Sequence, residues 1–213
     1  MATTQFTPNS NGEKSGKKFG FWALIIIITL AVLLIVFNSF TVVNEGYIGV
    51  KYQFGKIVSS DLSAGLNMHI PVIEEIQQVD TREQIYSVQT DAYTSDTQTV
   101  DNLGLKLNYY YDGTKLPEII RTIGINNVET KLLVPNVAKI SKDEIGRVKA
   151  EDLVQNRSDV QNAIYESLKK TLEPQGIIVT AFAIENLAFE DAFEQSIQAK
   201  VIAAQDALKM QNK

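Results

Sequence analysis

Leu103-Gly104-Leu105-Lys106-Leu107-Asn108-Tyr109-Tyr110-Tyr111 decides the architecture of this 213-residue chain. Leu103, Leu105, Leu107, Tyr109 and Tyr111 fall on one side of an extended backbone, with Lys106, Asn108 and Tyr110 on the other, the period of a half-buried strand. Two of the three tyrosine rings are therefore expected in the core and one outside. Just downstream the period changes. From Lys115 onward Leu116, Ile119, Ile120 and Ile123 form a stripe, and Val128, Leu132, Leu133, Val137, Ile140, Ile145 and Val148 continue it around Pro135, as helices burying one face require.

Upstream, Ile48, Val50, Tyr52 and Phe54 alternate with Gly49, Lys51 and Gln53, another half-buried strand that ends at the turn of Gly55. Residues 63–76 read as a turn and an extended run, because Pro71 forces Ile70 away from helix. Downstream, Ser141-x-x-Glu144 and Ser158-Asp159-Val160-Gln161 carry the residue types that satisfy exposed helix N–H groups and are expected to start helices. The helix from Ser158 buries Val160, Ile164, Leu168 and Leu172 and stops near Pro174-Gln175-Gly176. Ile177 to Ile184, apolar on both sides, is expected to be a strand covered on both faces. Strands, then helices, then a strand make residues 44–189 an α+β domain of antiparallel sheet plus helices.

A different solvent is written into the N-terminal part. Phe19 to Phe37 holds no charge, and as a helix it reaches about 28 Å, close to the thickness of a bilayer's hydrocarbon. A buried core helix would show a polar side, and a cleaved signal peptide has a shorter apolar core and a small-x-small site, which Asn38-Ser39-Phe40-Thr41-Val42 lacks. Residues 19–40 are expected to be an uncleaved transmembrane helix, lined by Phe19, Trp22, Ile26, Leu30, Leu34 and Phe37. Lys14, Lys17 and Lys18 precede it and Glu45 is the first charge after it, so the positive-inside bias places the N-terminus in the cytoplasm or matrix equivalent and the main domain opposite. Residues 1–18 read as a disordered polar tail. Gly12 to Lys17 is one residue short of a phosphate loop and follows no strand, so nucleotide binding there is rejected.

Composition excludes much chemistry. With no Cys and one His, His69, the chain offers no disulfide, thiolate or multi-histidine metal site. No cofactor and no catalytic residue is expected. His69 has no nucleophile elbow beside it, and Glu74-Glu75 and Asp143-Glu144 are adjacent pairs that read as solvated faces or caps. A net charge of −5 argues against nucleic acid, and the part after the apolar run, more acidic than the whole, is not expected to adhere electrostatically to anionic headgroups. Asn156-Arg157-Ser158 matches a glycosylation sequon, but Ser158 doubles as the expected cap.

The C-terminal residues 190–213 form a separate pattern. Phe193, Ile197, Val201, Ala204 and Leu208 recur at spacings of 4, 4, 3 and 4, beside Ala199, Ala203 and Ala207, the start of an amphipathic coiled-coil helix. The stripe reaches Lys213 without a helix-ending residue and reads as the beginning of something longer. It serves as a subunit seam or, alternatively, folds back on its own domain.

An apolar span followed by Val43-Asn44-Glu45-Gly46-Tyr47-Ile48-Gly49-Val50, Phe54-Gly55-Lys56, residues 64–71 and Val79-Asp80-Thr81-Arg82 resembles the stomatin/prohibitin/flotillin (SPFH, band-seven) family. Leu133-Val134-Pro135-Asn136-Val137, residues 155–160 and above all residues 187–205 are similar to its prohibitin branch. The resemblance covers about residues 22–213, with Ala64 where proline is usual and Gln198-Ala199-Lys200-Val201 where Glu-Ala-Lys-Gln is usual. It implies a non-enzymatic membrane scaffold whose subunits assemble into rings or cages, organise lipid and restrain AAA-type membrane proteases in a bacterial or mitochondrial inner membrane. The alternatives are a membrane-tethered monomer that binds lipid or protein and, least, an anchored hydrolase.

Overall fold

The computed structural model describes residues 14–189 together with 195, 199 and 202, all three helical. Helix α1 (Lys14–Phe37) is the first of the described elements. Two polar side chains turn back on it: the Thr29 hydroxyl within it donates to the Ile25 carbonyl, and the amide of Asn38, just past its end, to that of Leu34, each at 2.8 Å. Neither side chain then needs water to satisfy its donor.

Three small sheets follow. β1 (Phe40–Val43) pairs antiparallel with β4 (Gly65–Met68), while β2 (Tyr47–Gln53) lies between β3 (Lys56–Leu62) and β5 (Glu74–Asp80). The third sheet, with order β6 (Gln84–Tyr93), β7 (Thr99–Tyr111), β8 (Ile177–Ile184), is also antiparallel, and the short β9 (Ala188–Phe189) adds to β7. All sheet pairings are antiparallel, as the alternating patterns require. Leu103, Leu105, Leu107, Tyr109 and Tyr111 are buried along β7 and Tyr110 faces out, as the sequence implies. The Tyr109 and Tyr111 rings meet edge to face with centroids 5.8 Å apart.

Helices α2 (Leu116–Thr122), α3 (Val134–Ile145), α4 (Ala150–Gln155) and α5 (Arg157–Leu172) connect β7 to β8. The last turns its buried face, Val160, Ile164, Leu168 and Leu172, onto β8, and burial of each contributes roughly 1.5–3 kcal/mol. Gly176, at φ 85, ends the helical region in the left-handed conformation that glycine adopts without strain. One core joins Val50 and Val79 of the second sheet to β7, β8 and the helices.

Three local expectations are corrected. Ser141 starts no helix: α3 begins at Val134, where Pro135 occupies the first turn with no N–H to lose, and Ser141 lies buried midway along it. Ser158 caps nothing either, since α5 begins at Arg157 and no side chain caps it. Asp96 does that work for a neighbour, its Oδ1 accepting the Ala150 N–H at the start of α4 at 3.0 Å while the Thr94 hydroxyl holds it at 2.6 Å. β8 is covered on one face only, because Thr180 and Ala181 reach solvent.

Candidate membrane-docking face

Apolar side chains stand in solvent where α1 enters the domain. Register sets Phe40 against Met68 and Val42 against Leu66, so these four share one face of the β1–β4 ribbon, and all are exposed. Val43, pointing the other way, is buried. The chain continues from β4 into a turn that holds exposed Ile70 and then Val72, which is 102% exposed at φ 72. A β-branched residue in the left-handed region is strained, and here no packing in the domain compensates it. Phe54 repeats this arrangement: it occupies, with Gly55, the two-residue turn between β2 and β3 at φ 48, and is 82% exposed. Asn or Gly usually fills such a position.

Hydrogen bonds lock these segments into one surface. His69 donates its backbone N–H to the Ser39 carbonyl at 2.8 Å, and the Ser39 hydroxyl donates to that of Ile35 at 2.8 Å, tying β4 to the end of α1. The His69 ring Nδ1 lies 3.3 Å from the Thr41 hydroxyl. Phe54 donates to the Ile73 carbonyl at 3.2 Å, joining the β2–β3 turn to the turn of Val72. Behind them Lys51 donates to the Met68 carbonyl at 2.7 Å and pairs with Glu74 at 3.6 Å, while Glu74 accepts the Ile70 N–H at 2.9 Å. These bonds hold together the segments that carry exposed Phe40, Val42, Leu66 and Met68 on the ribbon and exposed Phe54, Ile70 and Val72 on the adjoining turns. Such a face exceeds what monomers scatter singly and suits an apolar medium, each side chain adding about 1–2 kcal/mol on burial.

Beyond this face, Arg82 organises the start of β2. Its Nε donates to Asp80 at 2.9 Å, its terminal nitrogen donates to the Tyr47 hydroxyl at 2.9 Å, and its guanidinium stands 4.9 Å from the Tyr47 ring centroid. The hydrogen-bonded guanidinium holds the Asp80 carboxyl down to about 2. On the outer face of the third sheet Glu83 accepts from Asn108 and Thr180, both at 2.8 Å, and these bonds lower its pKa. Burial raises the Tyr109 and Tyr111 hydroxyls.

The expected membrane residues Phe19, Trp22, Ile26, Leu30, Leu34 and Phe37 all belong to α1. The 18-residue window Gly20–Phe37 has a mean hydropathy of 3.0 and none of it is buried against the domain. The helix is long and apolar enough to cross a membrane. Phe193, Ile197, Val201, Ala204 and Leu208, the expected seam, lie outside the described residues. Among the described residues no cluster of metal-ligating side chains occurs. Glu144 binds Arg147 at 2.9 Å and accepts from Ser167 at 3.0 Å, so it joins α3 to α5. The apolar ribbon was missed in the sequence, although Leu66, Met68, Ile70 and Val72 alternate in plain view across Pro71.

Among the described residues one apolar helix, long enough to cross a membrane, leads into small antiparallel sheets and a helix-backed third sheet, which defines an α+β protein. Residues 41–213 match the SPFH domain / Band 7 family, and the chain belongs to that family, in its prohibitin-like branch. It is 27% identical over 166 residues to Prohibitin-2 of Schizosaccharomyces pombe, covering 78% of this chain and 57% of the relative. It is 29% identical over 173 residues to the mitochondrial Prohibitin-7 of Arabidopsis thaliana, covering 81% and 56%. The chain thus spans about half the length of the curated relatives it matches.

Proposed function

We propose that this chain is a non-enzymatic, prohibitin-like membrane scaffold. The carrying observation is the continuity of α1 with the outward apolar face of β1–β4 and the turns of Phe54 and Val72, which gives the SPFH domain two attachments to one membrane. A helix alone leaves a domain free to swivel about its tether. A second apolar contact fixes the domain's tilt, and fixed tilt lets identical copies meet side by side through one repeated interface. Copies assemble in this way into rings or cages that organise lipid laterally and restrain an AAA-type membrane protease. The membrane is a mitochondrial inner membrane or a bacterial one, with the segment before α1 on the cytoplasmic or matrix side. Residues 190–213 supply the coiled-coil seam through Phe193, Ile197, Val201, Ala204 and Leu208.

Crosslinking in intact membranes, followed by size measurement of the detergent-solubilised protein, tests the reading. A megadalton-scale species supports it. A stable monomer overturns it in favour of a tethered module that binds lipid or protein singly.

A further inference from the structure

Between the β2–β3 hairpin and the C-terminal end of α2 lies a cleft of about 490 Å³, lined by Tyr52, Gly55, Lys56, Ile57, Ile120 and Arg121. Its lining holds two cations and no carboxylate. The four ion pairs of the described residues use Lys51, Arg82, Lys106 and Arg147, so Lys56 and Arg121 are in none of them. Glu75, the register partner of Tyr52 on β5, is near enough for its charge to add to burial in raising the Tyr52 hydroxyl, but it is not among the lining residues. In a chain of net charge −5, a lysine and an arginine, both exposed, thus line one cleft with no acidic residue in its lining. Position is the second observation. Gly55 both lines the cleft and completes the turn that projects Phe54, so the cleft opens beside an apolar side chain of the docking face.

We propose that this cleft binds the phosphate of an anionic membrane lipid, with Lys56 and Arg121 contacting the phosphodiester and Tyr52, Ile57 and Ile120 packing the glycerol. The inference rests on the membrane-docking reading and gives it a lipid preference. Arg121 offers the planar fork that matches two phosphate oxygens, and Lys56 a point charge on a flexible stem. Zwitterionic lipid also carries a phosphate, but its choline brings a cation toward two others, so headgroups of net negative charge are preferred. The acidity of the whole domain opposes diffuse attraction to such a surface. Recognition must then be short-range and confined to the cleft.

The test uses the full chain in nanodiscs of equal phosphatidylglycerol and phosphatidylcholine with identical acyl chains, ejected into a native mass spectrometer. Phosphatidylglycerol is expected among the retained lipids at about thirtyfold over phosphatidylcholine, the scale of two cationic contacts. The K56Q/R121Q variant is expected to return to the nanodisc ratio, whereas K169Q/K170Q on α5, which removes equal charge, keeps the enrichment. No enrichment in the parent chain, or equal loss in both variants, overturns the site. If millimolar inorganic phosphate abolishes the enrichment, the cleft takes free phosphate and the lipid assignment falls. Docking is read separately by bromolipid quenching of a bimane on Leu66→Cys: quenching that persists while K56Q/R121Q keeps its enrichment sinks only the cleft, and absent quenching sinks the docking reading itself.

Discussion

Val72 pairs a β-branched side chain with φ 72, and the domain gives it nothing to touch. A residue so placed is a conformational cost unless something outside the domain rewards it. Val72→Gly is therefore expected to raise the stability of the detergent-solubilised protein by about 1 kcal/mol while reducing bromolipid quenching of a bimane at position 66. The chain has no Cys, so that label is unique. A variant that gains stability and keeps full quenching refutes a membrane role for Val72. Gly46 argues the opposite way: at φ 81, a Cβ there would meet Cδ of Arg82 at 2.8 Å. Gly46→Ala should cost about 1–2 kcal/mol in denaturant unfolding, from left-handed strain and a displaced guanidinium. Asp80, whose carboxyl drops from 3.8 to about 2 beside that guanidinium, contributes stability that is present above its ordinary value and lost as pH falls between those two values. Asp80→Asn should flatten the acid side of the stability profile over that interval, and an unchanged slope there speaks against the pairing.

Elements show what periodicity can and cannot say. β7 and α5 were legible because a strand's alternation and a helix's stripe each specify their own buried set, and every residue of both sets is buried. The helix starts were not, because Ser141 and Ser158 have the right chemistry for a cap but Pro135 and Asn156 set the true boundaries. The docking face was illegible for a different reason. Alternation reports that one side of a strand is apolar, not whether protein or lipid covers it, and Leu66 to Val72 look the same in either case. Ser141 is left with a buried hydroxyl that has no hydrogen-bond partner. Ser141→Ala should therefore stabilise the domain by about 0.5–1 kcal/mol, measured by chemical unfolding, and a clear loss instead would mean the hydroxyl is satisfied in solution. For the seam, Ile197→Asp, Val201→Asp or Leu208→Asp should abolish large complexes and spare membrane insertion. A carboxylate in a desolvated seam costs several kcal/mol, repeated at every interface by symmetry. Complexes that persist move assembly to the sheet domain, and an unfolded domain means the stripe folds back onto it.

At the scale of the whole molecule, the proposed function has α1 and the apolar face answer to the same bilayer, so on that reading orientation decides which leaflet the domain rests on. Lys14, Lys17 and Lys18 stand before the apolar window, and past it Glu45 precedes Lys51. Cations near a span's end resist translocation, whereas the acid-first flank does not. The SPFH domain should consequently be protected from protease added on the cytoplasmic or matrix side. Replacing all three lysines with glutamate should weaken or invert that protection. The docking face sharpens the expectation. It lies on the domain itself, beside the end of α1, so it travels with the domain and meets whichever leaflet the domain emerges from. Inversion should thus change protease access while bromolipid quenching at position 66 stays the same. Digestion of residues 44–213 from the cytoplasmic side in the parent chain would refute the orientation and place both ends there, as in a stomatin-like hairpin. Loss of quenching on inversion would instead tie the apolar face to one leaflet's composition and not to the geometry of the span.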